Sequence, residues 1–131
     1  MSGSIVSGMN EYLLGTCIVI DILRTKPEAM AFLYRLDAKP CLSVVTVAEL
    51  YSGARRGEMP ALKAMLDASE IFEVTYTISI QAGLWRHQYR PSHGVDIPDA
   101  LIAATSHKQG LTLATSNTKH FPMLAQVYRP Y

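Results

Sequence analysis

Glu49, Asp96, Asp99 and Asn117 are the residues whose types and positions could do chemistry. Brought together, the carboxylates and the carboxamide would form an all-oxygen donor set, suited to a hard divalent ion such as Mg²⁺ or Mn²⁺. Such ions activate water and neutralise charge on a phosphodiester, as in metal-dependent nucleases. His87, His93, His107 and His120 show no close pair at zinc-ligand spacing, and the two cysteines form no CxxC pair, so zinc is not expected.

Each acid also has a plainer reading. Glu49 follows Thr46 by three residues, the T-x-x-E spacing of a helix capping box. Asp96-Ile97-Pro98-Asp99 places a good N-cap before a proline-compatible first turn, where the helix dipole favours acids. Asn117 is ordinary in a turn, and Asp21 reads as a solvated residue on a helix face. Capping leaves one feature unexplained: Asp99 runs directly into ALIAAT, residues 100–105, a small and apolar helix start that would lie against a sheet. A carboxylate partly buried there needs a counter-charge or a metal.

The elements that must position these residues alternate along the chain. Apolar runs predict strands over 11–14, 41–45, 71–76 and 111–115, with a short edge strand at 127–128. Helical spacing predicts helices over 16–24, from Lys26-Pro27 toward Lys39-Pro40, over 46–57 and 60–69, from Thr77 to Arg90, and over 96–109 with Gly110 as the stop. Arg90 to Gly94 reads as a loop, because Pro91 and Gly94 both break a helical pattern. Strands alternating with helices imply an α/β fold: three α/β/α layers around a parallel sheet of four or five strands. In such sheets the ligand crevice lies beyond the carboxyl ends of the strands. That rule, with the start of the late helix added, selects Gly15, Glu49, Asp96 with Asp99, and Asn117.

With 131 residues, 49% hydrophobic and 18% charged, the chain is expected to form a single soluble domain over 9–131. Residues 1–8, MSGSIVSG, read as a disordered extension or cloning remnant. No apolar run reaches the length of a membrane span. A net charge of +1 gives no overall field for nucleic acid, so any basic footprint must be local. Two cysteines without a signal peptide point to reduced thiols in a cytoplasm.

The segments YLLGTCIVIDILR, TVAELYSGARRG and DIPDALIAATSHKQGLTLATSNTKHF, with their spacing, resemble PIN-domain proteins, most closely the VapC-type toxins of bacterial toxin–antitoxin pairs. The likeness runs from Tyr12 to Phe121. It implies a Mg²⁺-dependent endoribonuclease acting on structured RNA, often tRNA or rRNA, silenced by a small antitoxin protein and paired as a homodimer. It makes Glu49 the second acid and Asp99 the third, puts Asn117 at the fourth position, and makes Asp96 a helper close to the metal. The family's first acid ends the first strand, where this chain has Gly15. Glycine offers no side-chain ligand, and Asp21, more than a helical turn further on, is too distant to replace it. With the rest of the motif set intact, the expectation is an enzyme inactivated at Gly15, by a deliberate change rather than by drift. RNA contact, whether or not the chain cuts, would need local cations, and Arg55, Arg56, Arg86, Arg90 and Lys119, with His87, His93 and His120 beside them, could contact phosphates, although a solvated face is the plainer reading of any one of them. A non-catalytic PIN-like module that binds RNA or an antitoxin is the second reading.

Overall fold

The computed structural model describes residues 11–131; the extension expected over 1–8 lies outside the described residues. Strand β1 (Tyr12–Leu14) leads into helices α1 (Thr16–Leu23) and α2 (Pro27–Arg35). Then β2 (Cys41–Ser43) leads into α3 (Val44–Gly53) and α4 (Met59–Asp67), and β3 (Glu70–Phe72) into α5 (Tyr76–His93) and α6 (Ile97–Gln109). Strand β4 (Thr112–Ala114), a 3-10 turn (Thr118–His120) and β5 (Val127–Tyr128) follow. All strand pairs are parallel, in the order β3-β2-β1-β4-β5.

Period-two alternation within these short strands builds the layers. Leu14, Leu42 and Ala114 point to one face, where they pack with Ile18, Val19, Phe32, Leu50 and Leu62 from α1 to α4. Leu13, Cys41 and Leu113 point to the other, against Ile102 and Ala103 of α6. Burial on both faces is why the strands read as unbroken apolar runs. The middle of helix α6 is enclosed almost all round, since α5 covers it through Ile78 and Ala82 packed on Ala100 and Ala104. Its buried Thr105 and Ser106 hydroxyls donate back to the carbonyls of Leu101 and Ala103, both at 2.8 Å, so neither is left unsatisfied.

Two boundaries differ from the sequence expectation. The second strand stops at Ser43, and α3 begins at Val44 rather than Thr46. Ser43 is the N-cap, its Oγ accepting from the Val45 amide at 3.0 Å, and this capture outweighs the strand preference of Val44 and Val45. Glu49 is therefore well inside α3, beyond the reach of a capping box. The second difference is that α5 continues through Pro91 to His93 and ends at Gly94, which adopts the left-handed conformation (φ 63°). Pro91 is exposed near the last turn, so water can reach the carbonyl it leaves unpaired, and the Gly94 amide closes the helix on Arg90 O at 2.9 Å.

Candidate active site

Strands β1 and β4 are neighbours in the sheet, yet the chain leaves β1 toward β2 on one side and reaches β4 on the other. This is a topological switch point, and a crevice opens beyond the carboxyl ends of the two strands. The cleft there, of about 310 Å³, is lined by Gly15, Thr16, Glu49, Asp99, Asn117 and His120 among others. Glu49, Asp99 and Asn117 thus converge with Gly15, although they are scattered over most of the sequence.

Glu49 is held by a hydroxyl pair. Thr16 Oγ1 donates to Glu49 Oε1 at 2.7 Å and lies 3.0 Å from Thr46 Oγ1. Thr16 has one hydroxyl hydrogen, which goes to the carboxylate, so the buried Thr46 hydroxyl donates to Thr16. The T-x-x-E spacing that suggested a cap instead places a second hydroxyl one turn before the acid.

Asp99 sits in the first turn of α6, at the edge of that helix's buried stretch. Desolvation raises its pKa above the usual carboxylate value. The charges of Glu49 and Asp96 push the same way, while His120 opposes them by charge and by an Nδ1 contact of 3.2 Å to Asp99 Oδ2. Carboxylates that repel one another in a partly dry cleft favour a cation between them.

Gly15 precedes α1 as its N-cap, with φ −67° and ψ 159°, a conformation open to any residue. A Cβ there would stand 3.2 Å from Ala114 O and 3.5 Å from Thr115 Cβ, a tight but not blocked position. On the β4 side, Thr115 Oγ1 accepts from the Asn117 amide at 3.0 Å and so shapes the turn that presents Asn117. Cys17 Sγ takes a hydrogen bond from Ser116 Oγ at 3.2 Å, joining the two strand ends across the cleft.

The remaining candidates lie elsewhere. Asp96 caps α6 by position but makes no side-chain cap bond; it is exposed and lines a neighbouring cavity, reaching the cleft only through its charge on Asp99. Asp21 is engaged away from the cleft, accepting from the Tyr131 hydroxyl at 2.5 Å with Lys26 beside it. Arg55 and Arg56 are exposed just past α3, in a loop tied down by Glu58, which accepts from the Arg55 amide at 2.7 Å and pairs with Arg24. Lys119 is exposed in the turn between Asn117 and His120, while Arg86 and Arg90 line the cavity that Asp96 borders. Among the described residues no cluster of three or more acids, histidines or cysteines forms a ready metal cage. Thr16, Thr46, Thr115 and the pairing of His120 with Asp99 escape sequence reasoning. The available signal was position: Thr16 follows the end of β1, and Thr46 stands one turn before Glu49.

The PIN domain family model matches residues 12–127. Ribonuclease VapC19 of Mycobacterium tuberculosis is 37% identical over 123 residues, covering 91% of this chain and 98% of that protein. The tRNA(fMet)-specific endonuclease VapC of Shigella flexneri is 31% identical over 124 residues, covering 86% of this chain and 91% of its own length. Among solved structures, a toxin–antitoxin complex from Klebsiella pneumoniae superposes with a TM-score of 0.79 at 28% identity, covering 92% of this chain and 98% of the other. With its parallel sheet, its switch-point cleft and relatives matched over nearly their full length, the chain belongs to the PIN-domain family, among the VapC-type ribonucleases.

Proposed function

We propose that this chain is the endoribonuclease toxin of a toxin–antitoxin pair, that Glu49 and Asp99 hold its divalent ion, and that its present form is weakened or silent because Gly15 replaces a third carboxylate. The observation that carries the reading is the meeting of Glu49, Asp99 and Asn117 with Gly15 in one cleft at the switch point. The donor set suits Mg²⁺ or Mn²⁺, because Mg²⁺ is commonly bound by one or two carboxylates while keeping several waters. Such an ion, when bound, supplies an activated water and charge neutralisation at the scissile phosphodiester. The chain's own residues orient the donors: Thr16 fixes Glu49, His120 holds Asp99, and Thr115 shapes the turn at Asn117. The name of the Shigella relative makes tRNA the substrate class of choice. A cytoplasmic homodimer is the assembly that fits this role, and no helix among the described residues is long and apolar enough to cross a membrane.

Mn²⁺ titration followed by water-proton relaxation is expected to give weak, saturable binding that Asp99→Asn removes. Absence of any response would move the chain to the second reading, a non-catalytic module for RNA or antitoxin, which Gly15 itself favours. The Klebsiella neighbour is a toxin–antitoxin complex, and an antitoxin arginine laid over the cleft would pair bidentately with its acids. Glu49→Ala with Asp99→Ala is therefore expected to weaken a cognate antitoxin complex by about 2 kcal/mol or more. Biolayer interferometry measures this, and an unchanged affinity would count against the arginine clamp.

A further inference from the structure

Where the end of α5 meets the start of α6, a second cavity of about 650 Å³ is lined by Arg86, His87, Arg90, Pro91, Gly94 and Asp96. Arg86 and Arg90 are four residues apart and so share one helix face. Among the described residues neither is paired with a carboxylate. Arg86 Nε is buried without a hydrogen-bond partner. A partly buried guanidinium with no counter-charge is costly, and an anion in the cavity that Arg86 lines would supply one. Asp96, the one acid in the lining, is exposed, and its charge is felt at Asp99. The cationic cavity, through Asp96, and the cleft, through Asp99, therefore both border the first turn of α6.

We propose that this cavity is a phosphate subsite for the RNA strand, in which Arg86 and Arg90, with His87 beside them, hold a backbone phosphate flanking the one at Glu49 and Asp99. The inference rests on the nuclease reading and deepens it. A guanidinium matches phosphate geometry with two parallel donors, so the pair grips the backbone independently of base sequence. An acidic protein segment would meet the same cations, but the strand is favoured because the cavity adjoins a cleft built for phosphodiesters.

Each phosphate contact to a single strand contributes about 0.7 to the slope of log affinity against log salt. Fluorescence anisotropy of fluorescein-labelled polyuridine, titrated with the full chain in EDTA at several salt concentrations, reads that slope without cleavage. Arg86→Gln with Arg90→Gln is expected to lower the slope by about 0.7, the loss of one neutralised phosphate, and Arg90→Gln alone by a measurable part of that. Arg90 is exposed, so the single variant keeps the test valid should Arg86→Gln disturb packing. Lysine at both positions should retain most of the slope, because the charge is kept. An unsubstituted chain that binds with a slope the variants leave unchanged overturns the subsite alone. Failure of the unsubstituted chain to bind polyuridine at all overturns the subsite, which is independent of base sequence and of metal, while the nuclease reading stands or falls on the Mn²⁺ titration. Polyglutamate bound more tightly than the RNA, and released by the same variants, would assign the cavity to an acidic protein segment and overturn it too.

Discussion

Gly15→Asp is expected to raise Mg²⁺-dependent cleavage of total RNA by about a hundredfold or more. Loss of a residue that merely supports a metal ligand typically costs about 10–100-fold, so supplying an absent inner ligand belongs at or beyond the top of that range. The backbone presents no obstacle, because Gly15 already has φ −67°. Packing is the tighter constraint: a Cβ 3.2 Å from Ala114 O requires a shift of a few tenths of an ångström. Gly15 N donates to that same carbonyl at 2.8 Å, so the two strand ends must move together. Partly offsetting this, an aspartate is a better N-cap than glycine by a few tenths of a kcal/mol, and α1 has no side-chain cap now. The substitution should therefore fold. Gel analysis with and without Mg²⁺ reads the outcome. Equal cleavage by both proteins would make the first carboxylate irrelevant here, and a folded Gly15→Asp protein that cuts nothing would promote the non-catalytic reading.

Asp99→Asn should act in opposite directions on activity and on stability. In the Gly15→Asp background it should lower cleavage by about a hundredfold or more, since it takes away one of the two acids we propose as ligands of the ion. In the metal-free protein it should raise Tm at neutral pH by a few degrees, because a carboxylate half-buried beside other acids is held at the expense of stability. The sign follows from Asp99. Burial, then its acidic neighbours, raise its pKa on folding, so the folded state binds that proton more tightly than the unfolded chain. The stability this contributes is fully present below the unfolded carboxyl pKa, near 4, and is lost as pH rises through the folded value. An asparagine carries no such dependence and can still accept from His120. Its advantage should therefore be present at pH 7 and vanish in acid. Calorimetry in EDTA at both pH values checks this, and a lower Tm for Asp99→Asn at neutral pH would contradict the desolvation argument.

The alternation of elements was legible because each strand is an apolar run and most helices have a proline or glycine at an end, as Pro98 and Gly110 frame α6. Asp99 was legible for a related reason: an acid before ALIAAT has to meet a buried helix start. The corner after β2 was misread because Val44 and Val45 favour strand locally, whereas Ser43 captures an amide and starts the helix. The length of α5 was missed because a proline near a helix end costs less than one in its middle, provided water reaches the freed carbonyl. Least legible was the hydroxyl relay behind Glu49, since Thr16 and Glu49 are 33 residues apart and no local spacing records their contact. Asp96 illustrates the converse: its place one turn before Asp99 is plain in the sequence, while its place in the cavity that Arg86 and Arg90 also line depends on how α5 ends.

The pairing of β1 with β4 also fixes when, in the life of a polypeptide, the cleft can exist. Tyr12 to Leu14 must align with Thr112 to Ala114, and the Gly15 amide with the Ala114 carbonyl. A growing chain that has reached Gly110 has Glu49 and Asp99 but no neighbour for the open side of β1, and neither Asn117 nor His120. Pairing across so long a stretch is slow, because the loop must close before its contacts form. Assembly of the cleft is thus deferred until residues as late as His120 have been synthesised, so a chain of this fold passes most of its synthesis without an assembled site.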